Sequence, residues 1–161
     1  MRNLELIISF SLEGCKLKRM YFAIVLILEL IILFLFQDHL GHALPVELNV
    51  FTGSIVMSAN YSDGILLPAM LLLMGIHVAA FGLQALAQVF QHRAATFSEL
   101  DAKLLHVFSV YLEGFSIILM FYLFKFALKG ILLMMLSYAC LAVVLLELGL
   151  AFKAMHSGQR N

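Results

Sequence analysis

Four apolar runs, Met20–Phe36, Ile65–Phe90, Leu104–Phe124 and Ile131–Phe152, dominate this chain and limit what it can fold into. Crossing a bilayer takes roughly 20 helical residues at about 1.5 Å each, so the first run is just long enough to span and the second can span with tilt. The rest of the composition leaves no soluble alternative. Of 161 residues, 63% are apolar and 12% charged, and the mean hydropathy is +1.03. Soluble domains hold roughly 45–50% apolar and 25% charged residues. A domain this small buries only roughly two thirds of its surface, so lipid is the expected solvent.

The expected fold is therefore an all-α integral membrane protein. A four-transmembrane-helix bundle would carry a short N-terminal interfacial helix and a small outer loop. The chain divides into an N-terminal segment (1–19), a transmembrane domain (20–153, with helices at 20–36, 65–90, 104–124 and 131–152) and a tail (154–161). Leu4, Ile7, Ile8 and Ser11 recur at helical spacing, as in a helix lying on the membrane surface. Pro68 falls in the first turn of the second helix, where a missing N–H is harmless. The short link Lys125–Gly130 makes helices 3 and 4 antiparallel neighbours.

Basic residues set the expected orientation. Lys16, Lys18 and Arg19 precede helix 1, Arg93 and Lys103 lie between helices 2 and 3, and Lys153 and Arg160 follow helix 4. The connection Gln37–Gly64 has neither Lys nor Arg. Both termini are expected in the cytoplasm, with a bacterial inner membrane as the default location and Lys125 and Lys129 snorkelling at the outer face. The first run is read as an uncleaved anchor; the alternative is cleavage as a signal peptide after Gly41-His42-Ala43. In the outer connection, Val46-Glu47-Leu48-Asn49-Val50 alternates with period two, and Thr52-Gly53 and Ser54-Ile55-Val56-Met57 follow. The segment reads either as a small β-hairpin or as an irregular loop. Asn60-Tyr61-Ser62 is a formal glycosylation sequon beside helix 2.

Polar side chains inside the runs are the candidate functional residues, because ionisable groups are costly in a bilayer. The expected intramembrane polar cluster is Glu29, Gln84, Gln88, Ser109, Glu113 and Glu147. On helix 2, His77, Gln84, Gln88 and Gln91 share one stripe. Gly75, Ala79 and Gly82 lie on the opposite side as a small-residue packing face, which would place helix 2 at the bundle centre or against a second subunit. On helix 3, His106, Ser109, Glu113 and Ser116 share a face. With a symmetric turn over Gln91–Lys103, Gln91 should face His106, Gln88 face Ser109 and Gln84 face Glu113. His77 is then left in the outer half, without a polar partner on helix 3 and near the depth of Tyr138, as a separate polar site. Glu29 and Glu113 fall at similar depth, about 13 Å from the inner face. Bare carboxylates there would take up protons, recruit a cation or pair with a partner's basic residue. The competing reading is packing glue, worth roughly 0.6 kcal/mol per bond.

No cofactor or metal is expected. Asp38, His39 and His42 make an incomplete ligand set, and His77 and His106 are too far apart in depth to share a haem. Neither Cys15 nor Cys140 belongs to a CxxC, and their separation in depth argues against pairing. Hydrolase, zinc-protease and phosphate-loop motifs are missing from the sequence, as are the basic patches of nucleic-acid binders. The functional expectation is a non-enzymatic subunit of a larger membrane complex, whose partners are the bilayer and other membrane subunits or a second copy. The alternative is an oligomeric proton- or cation-coupled transporter working through Glu29 and Glu113.

Overall fold

The computed structural model describes residues 20–91 and 96–158. The expected interfacial helix, the link residues 92–95 and the last three residues lie outside them. The described chain is mostly helical with one small sheet. Helix α1 covers Met20–Leu35, strands β1 (Ala43–Asn49) and β2 (Ser54–Asn60) follow, and then come α2 (Leu66–Gln91), α3 (Thr96–Leu123) and α4 (Lys129–Gly158). Helices α2, α3 and α4 are each long and apolar enough to cross a membrane; α1 is a shorter apolar helix. Large apolar side chains point outward along all four, among them Ile24, Ile31, Leu71, Val78, Val110, Leu145 and Leu146.

Helix α3 is the hub, correcting the expectation that helix 2 is central. It packs against both α2 and α4, and the Ser116 hydroxyl on α3 reaches Glu29 on α1. Its small-residue position Gly114 faces the Leu136 side chain of α4. The face of α2 formed by Gly75, Ala79 and Gly82 instead looks outward: a Cβ added at Gly75 or Gly82 would meet no atom within 4 Å.

Helix boundaries do not coincide with the limits of the apolar runs. Helix α3 begins at Thr96, eight residues before Leu104, because the polar stretch Thr96–Lys103 is helical too. Likewise α4 continues through the expected tail to Gly158. At the C-terminus of α3, Lys125 N–H donates to Tyr122 O and Phe126 N–H to Phe121 O. These two bonds make a Schellman motif with Lys125, at φ +58°, in the left-handed position usually given to glycine. The Phe126 ring packs edge-on against Phe121, supplying the apolar contact that accompanies such a stop.

The connection Gln37–Gly64 holds a β-hairpin, which resolves the two sequence readings. β1 and β2 pair antiparallel from Ala43↔Asn60 to Asn49↔Ser54, with irregularities around Glu47. Its turn is longer than Thr52-Gly53 alone. It spans residues 50–53, with Gly53 N–H donating to Asn49 O and the Asn49 side chain accepting from the N–H groups of Phe51 and Thr52. Such a local side-chain cap is a common use of Asn in turns. The hairpin is fastened to the helices: Tyr122 OH donates to Gly53 O at 2.5 Å, and Phe51 packs on Tyr138. Beneath it lies the apolar core, where Leu33, Leu44, Ile65, Ala69, Leu73, Leu119, Leu123 and Leu133 are buried together.

Candidate functional site

Next to that core, away from the hairpin, three ionisable side chains from three helices converge. His77 Nε2 lies 3.7 Å from Glu29 Oε2 and 3.5 Å from Glu113 Oε2, and all three residues are about 95% buried. These separations exceed ordinary hydrogen-bond lengths. Glu29 Oε2, His77 Nε2 and both Glu113 carboxyl oxygens are buried with no hydrogen-bond partner. Buried polar atoms in folded proteins are nearly always paired, so four orphans at one point single this cluster out as the candidate site.

The surrounding bonds fix which atoms can exchange a proton. His77 Nδ1 lies 3.0 Å from the Leu73 carbonyl oxygen. A carbonyl can only accept, so Nδ1 carries the ring hydrogen and Nε2 is left facing the two carboxyls. The Ser116 hydroxyl is 2.8 Å from both Glu29 Oε1 and the Glu113 main-chain carbonyl. A hydroxyl has one hydrogen to give. When it goes to the carbonyl, the contact with Glu29 persists only if that carboxyl is protonated and donates to Oγ.

Charge arithmetic then bounds the occupancy. Two carboxylates with a neutral imidazole carry a charge of −2 and hold no proton between them. Adding one proton leaves −1, and two protons make the cluster neutral. Uncompensated charge is expensive in a low-dielectric interior, so two labile protons over three groups is the arrangement that burial favours.

The polar seam continues along α2 and α3 away from the core. Ser109 donates to the Ala80 carbonyl at 2.8 Å, and His106 Nδ1 lies 2.7 Å from Gln84 Oε1. This corrects the expected ladder. His77 faces Glu113, Ala80 faces Ser109 and Gln84 faces His106, so paired residue numbers total 189 or 190, not the expected 197. The difference of seven is close to two helical turns, which keeps the right faces together while changing every partner. Its cause is the early start of α3, which shortens the link between α2 and α3. Thr96-Phe97-Ser98-Glu99 carries a capping-box pattern that signals such a start.

The remaining candidates separate. Glu147 lies outside the cluster; its Oε2 is 3.6 Å from Lys103 Nζ, which also pairs with Glu99 at 3.3 Å. Gln88 is half-buried on α2, one turn beyond Gln84. Tyr138 does not share a site with His77, because its half-exposed ring sits against the hairpin residue Phe51. Buried Ser137 instead meets Tyr111 OH at 3.2 Å. Comparison of the chain with protein-family models, curated proteins and solved structures finds no match.

Proposed function

We propose that this chain is a multi-pass membrane protein that binds and releases protons at the Glu29–His77–Glu113 cluster, coupling them to transport. The supporting observation is the meeting of four partnerless buried atoms on two acids and one base. In this reading Glu29 and Glu113 are the carriers, and His77 lends or withdraws a proton as the cluster cycles between neutral and charged states. All four helices span the membrane and both termini face the cytoplasm, following the distribution of basic residues; a bacterial inner membrane is the default setting.

The alternative of a non-enzymatic complex subunit drew on the need of the acids for a foreign basic residue. His77 answers that need within the chain. What still favours a partner, either another subunit or a second copy, is the outward face of Gly75, Ala79 and Gly82, which has the form of a helix-packing surface.

Proteoliposomes with a trapped pH-sensitive dye test the proposal. Under an imposed membrane potential the wild-type protein should carry protons. Glu29→Gln, which keeps shape and hydrogen bonding but cannot ionise, should abolish the flux while the protein still folds. Full flux in Glu29→Gln would end the reading, and stoichiometric partner chains in a gentle native purification would move it to the subunit.

A further inference from the structure

The two ends of the cluster differ in chemistry. On the hairpin side it abuts the core of Leu33, Ile65, Leu73 and Leu119, each at most 1% exposed, where the Tyr122 hydroxyl is already taken by Gly53 O. On the opposite side lie Ser109, then the Gln84–His106 pair, then the half-exposed Lys103 with Glu99 and Glu147. Lys103, His106, Ser109 and Glu113 follow one another at spacings of three or four residues, one continuous stripe of α3.

We propose that His106, held by Gln84, is the relay through which protons reach the cluster, so that in this conformation exchange runs only from the end where α2 joins α3. This rests on the proton-carrying reading above. With the Gln84 amide oxygen as acceptor, His106 Nδ1 keeps its hydrogen and Nε2 is the nitrogen that gains and loses one. A proton taken up there on the α2–α3 side leaves His106 as an imidazolium. Its release toward Glu113 returns the ring to neutral and converts one partnerless carboxylate oxygen to the acid. His106 and Glu113 are seven residues apart, about 10.5 Å along the axis, and the polar group between them on the same stripe is the Ser109 hydroxyl, three residues from one and four from the other. Gln84 acts as a positioning residue that fixes the tautomer and direction of the ring.

A relay alters rates, whereas a structural residue alters the cluster itself, and two readouts separate them. One is proton flux in proteoliposomes; the other is infrared titration of the protonated-carboxyl band belonging to Glu29 and Glu113, whose facing titratable partner is His77. His106→Gln keeps a polar partner for Gln84 but cannot relay. It should cut flux roughly tenfold or more, in the range of lost acid–base assistance, with the carboxyl titration unmoved. In His106→Ala, added imidazole should restore flux. Wild-type flux that Glu29→Gln abolishes but His106→Gln leaves within twofold would overturn the relay alone. A flux loss tracking a shifted carboxyl titration, or no rescue by imidazole, would also overturn it. Wild-type protein without flux would remove both proposals.

Discussion

The backbones of Gly53, at the hairpin turn, and Gly130, in the first turn of α4, touch so closely that neither position has room for a side chain. A Cβ on Gly53 would overlap the Gly130 peptide, and φ at Gly53 is +63°. Both effects are unfavourable: left-handed backbone costs a non-glycine residue about 1–2 kcal/mol, and overpacking adds about 1–3 kcal/mol. Gly53→Ala should therefore lower stability by about 2–5 kcal/mol. Gly64→Ala is the matched control, with φ +89° but open space around it; it should cost only the backbone share, about 1–2 kcal/mol. Unfolding titrations in detergent micelles compare the two, and equal losses would refute the close contact.

Lys125→Gly should act in the other direction. Lys125 holds the left-handed position of the α3 stop, where glycine is the favoured residue. Relief of that strain, less the extra freedom glycine gains when unfolded, should raise stability by up to about 1 kcal/mol. The same titration reads it, and a loss of stability would show that the lysine side chain matters more than its backbone.

Removing the base from the cluster should separate stability from function. His77→Leu leaves Glu29 and Glu113 facing each other without a proton acceptor between them. Both can remain protonated and neutral, so the protein should fold, with a stability loss of about 0.5–1.5 kcal/mol from the lost Nδ1–H bond to Leu73 O, which keeps its helical N–H partner. Proton flux should fall to background in proteoliposomes. Retained flux would leave the acids sufficient alone.

Glu147 gives the contrast. Its pairing with half-exposed Lys103 is of the kind worth about 0–1 kcal/mol. Glu147→Gln should change stability by no more than that and leave flux intact, whereas Ser116→Ala, which strips the buried partner of Glu29, should cost about 1–3 kcal/mol. If Glu147→Gln abolished flux, the site would have to extend to the far end of the seam.

On α2, Gly75→Ala discriminates between a lipid-facing and a protein-facing surface. With nothing within 4 Å of the added Cβ, helix propensity alone should stabilise the monomer by about 1 kcal/mol. If a second copy packs there, the methyl group should weaken association, visible as a shift toward monomer in light scattering.

How far the sequence carried the reading can be traced residue by residue. Apolar run lengths locate α2, α3 and α4, and the 3.6-residue period picks out the α3 face of His106, Ser109, Glu113 and Ser116. Partner assignment across α2 and α3 was not legible from hydropathy, because polar residues can extend a helix beyond the apolar slab, as Thr96–Lys103 do. That displacement by two turns moved His77 from an isolated outer position to the middle of the site. The hairpin was ambiguous because its fastening is tertiary: Tyr122 bonding Gly53, and the glycine-to-glycine contact with Gly130, cannot be seen in a local pattern.

The bond between Ser116 and Glu29 joins residues 87 positions apart, and this has a consequence for how the chain is made. Helices α2, α3 and α4 are joined by short links and can enter the membrane as successive neighbours. Glu29 must wait longer: α1 is complete before its base, His77, which comes 48 residues later, and long before its serine. At about 5–20 residues per second, roughly 4–17 s of translation separate Glu29 and Ser116. On the membrane reading proposed above, α1 waits through that interval with its acid neutralised or at the membrane surface, and its capture by the later helices is the step in biogenesis most exposed to error.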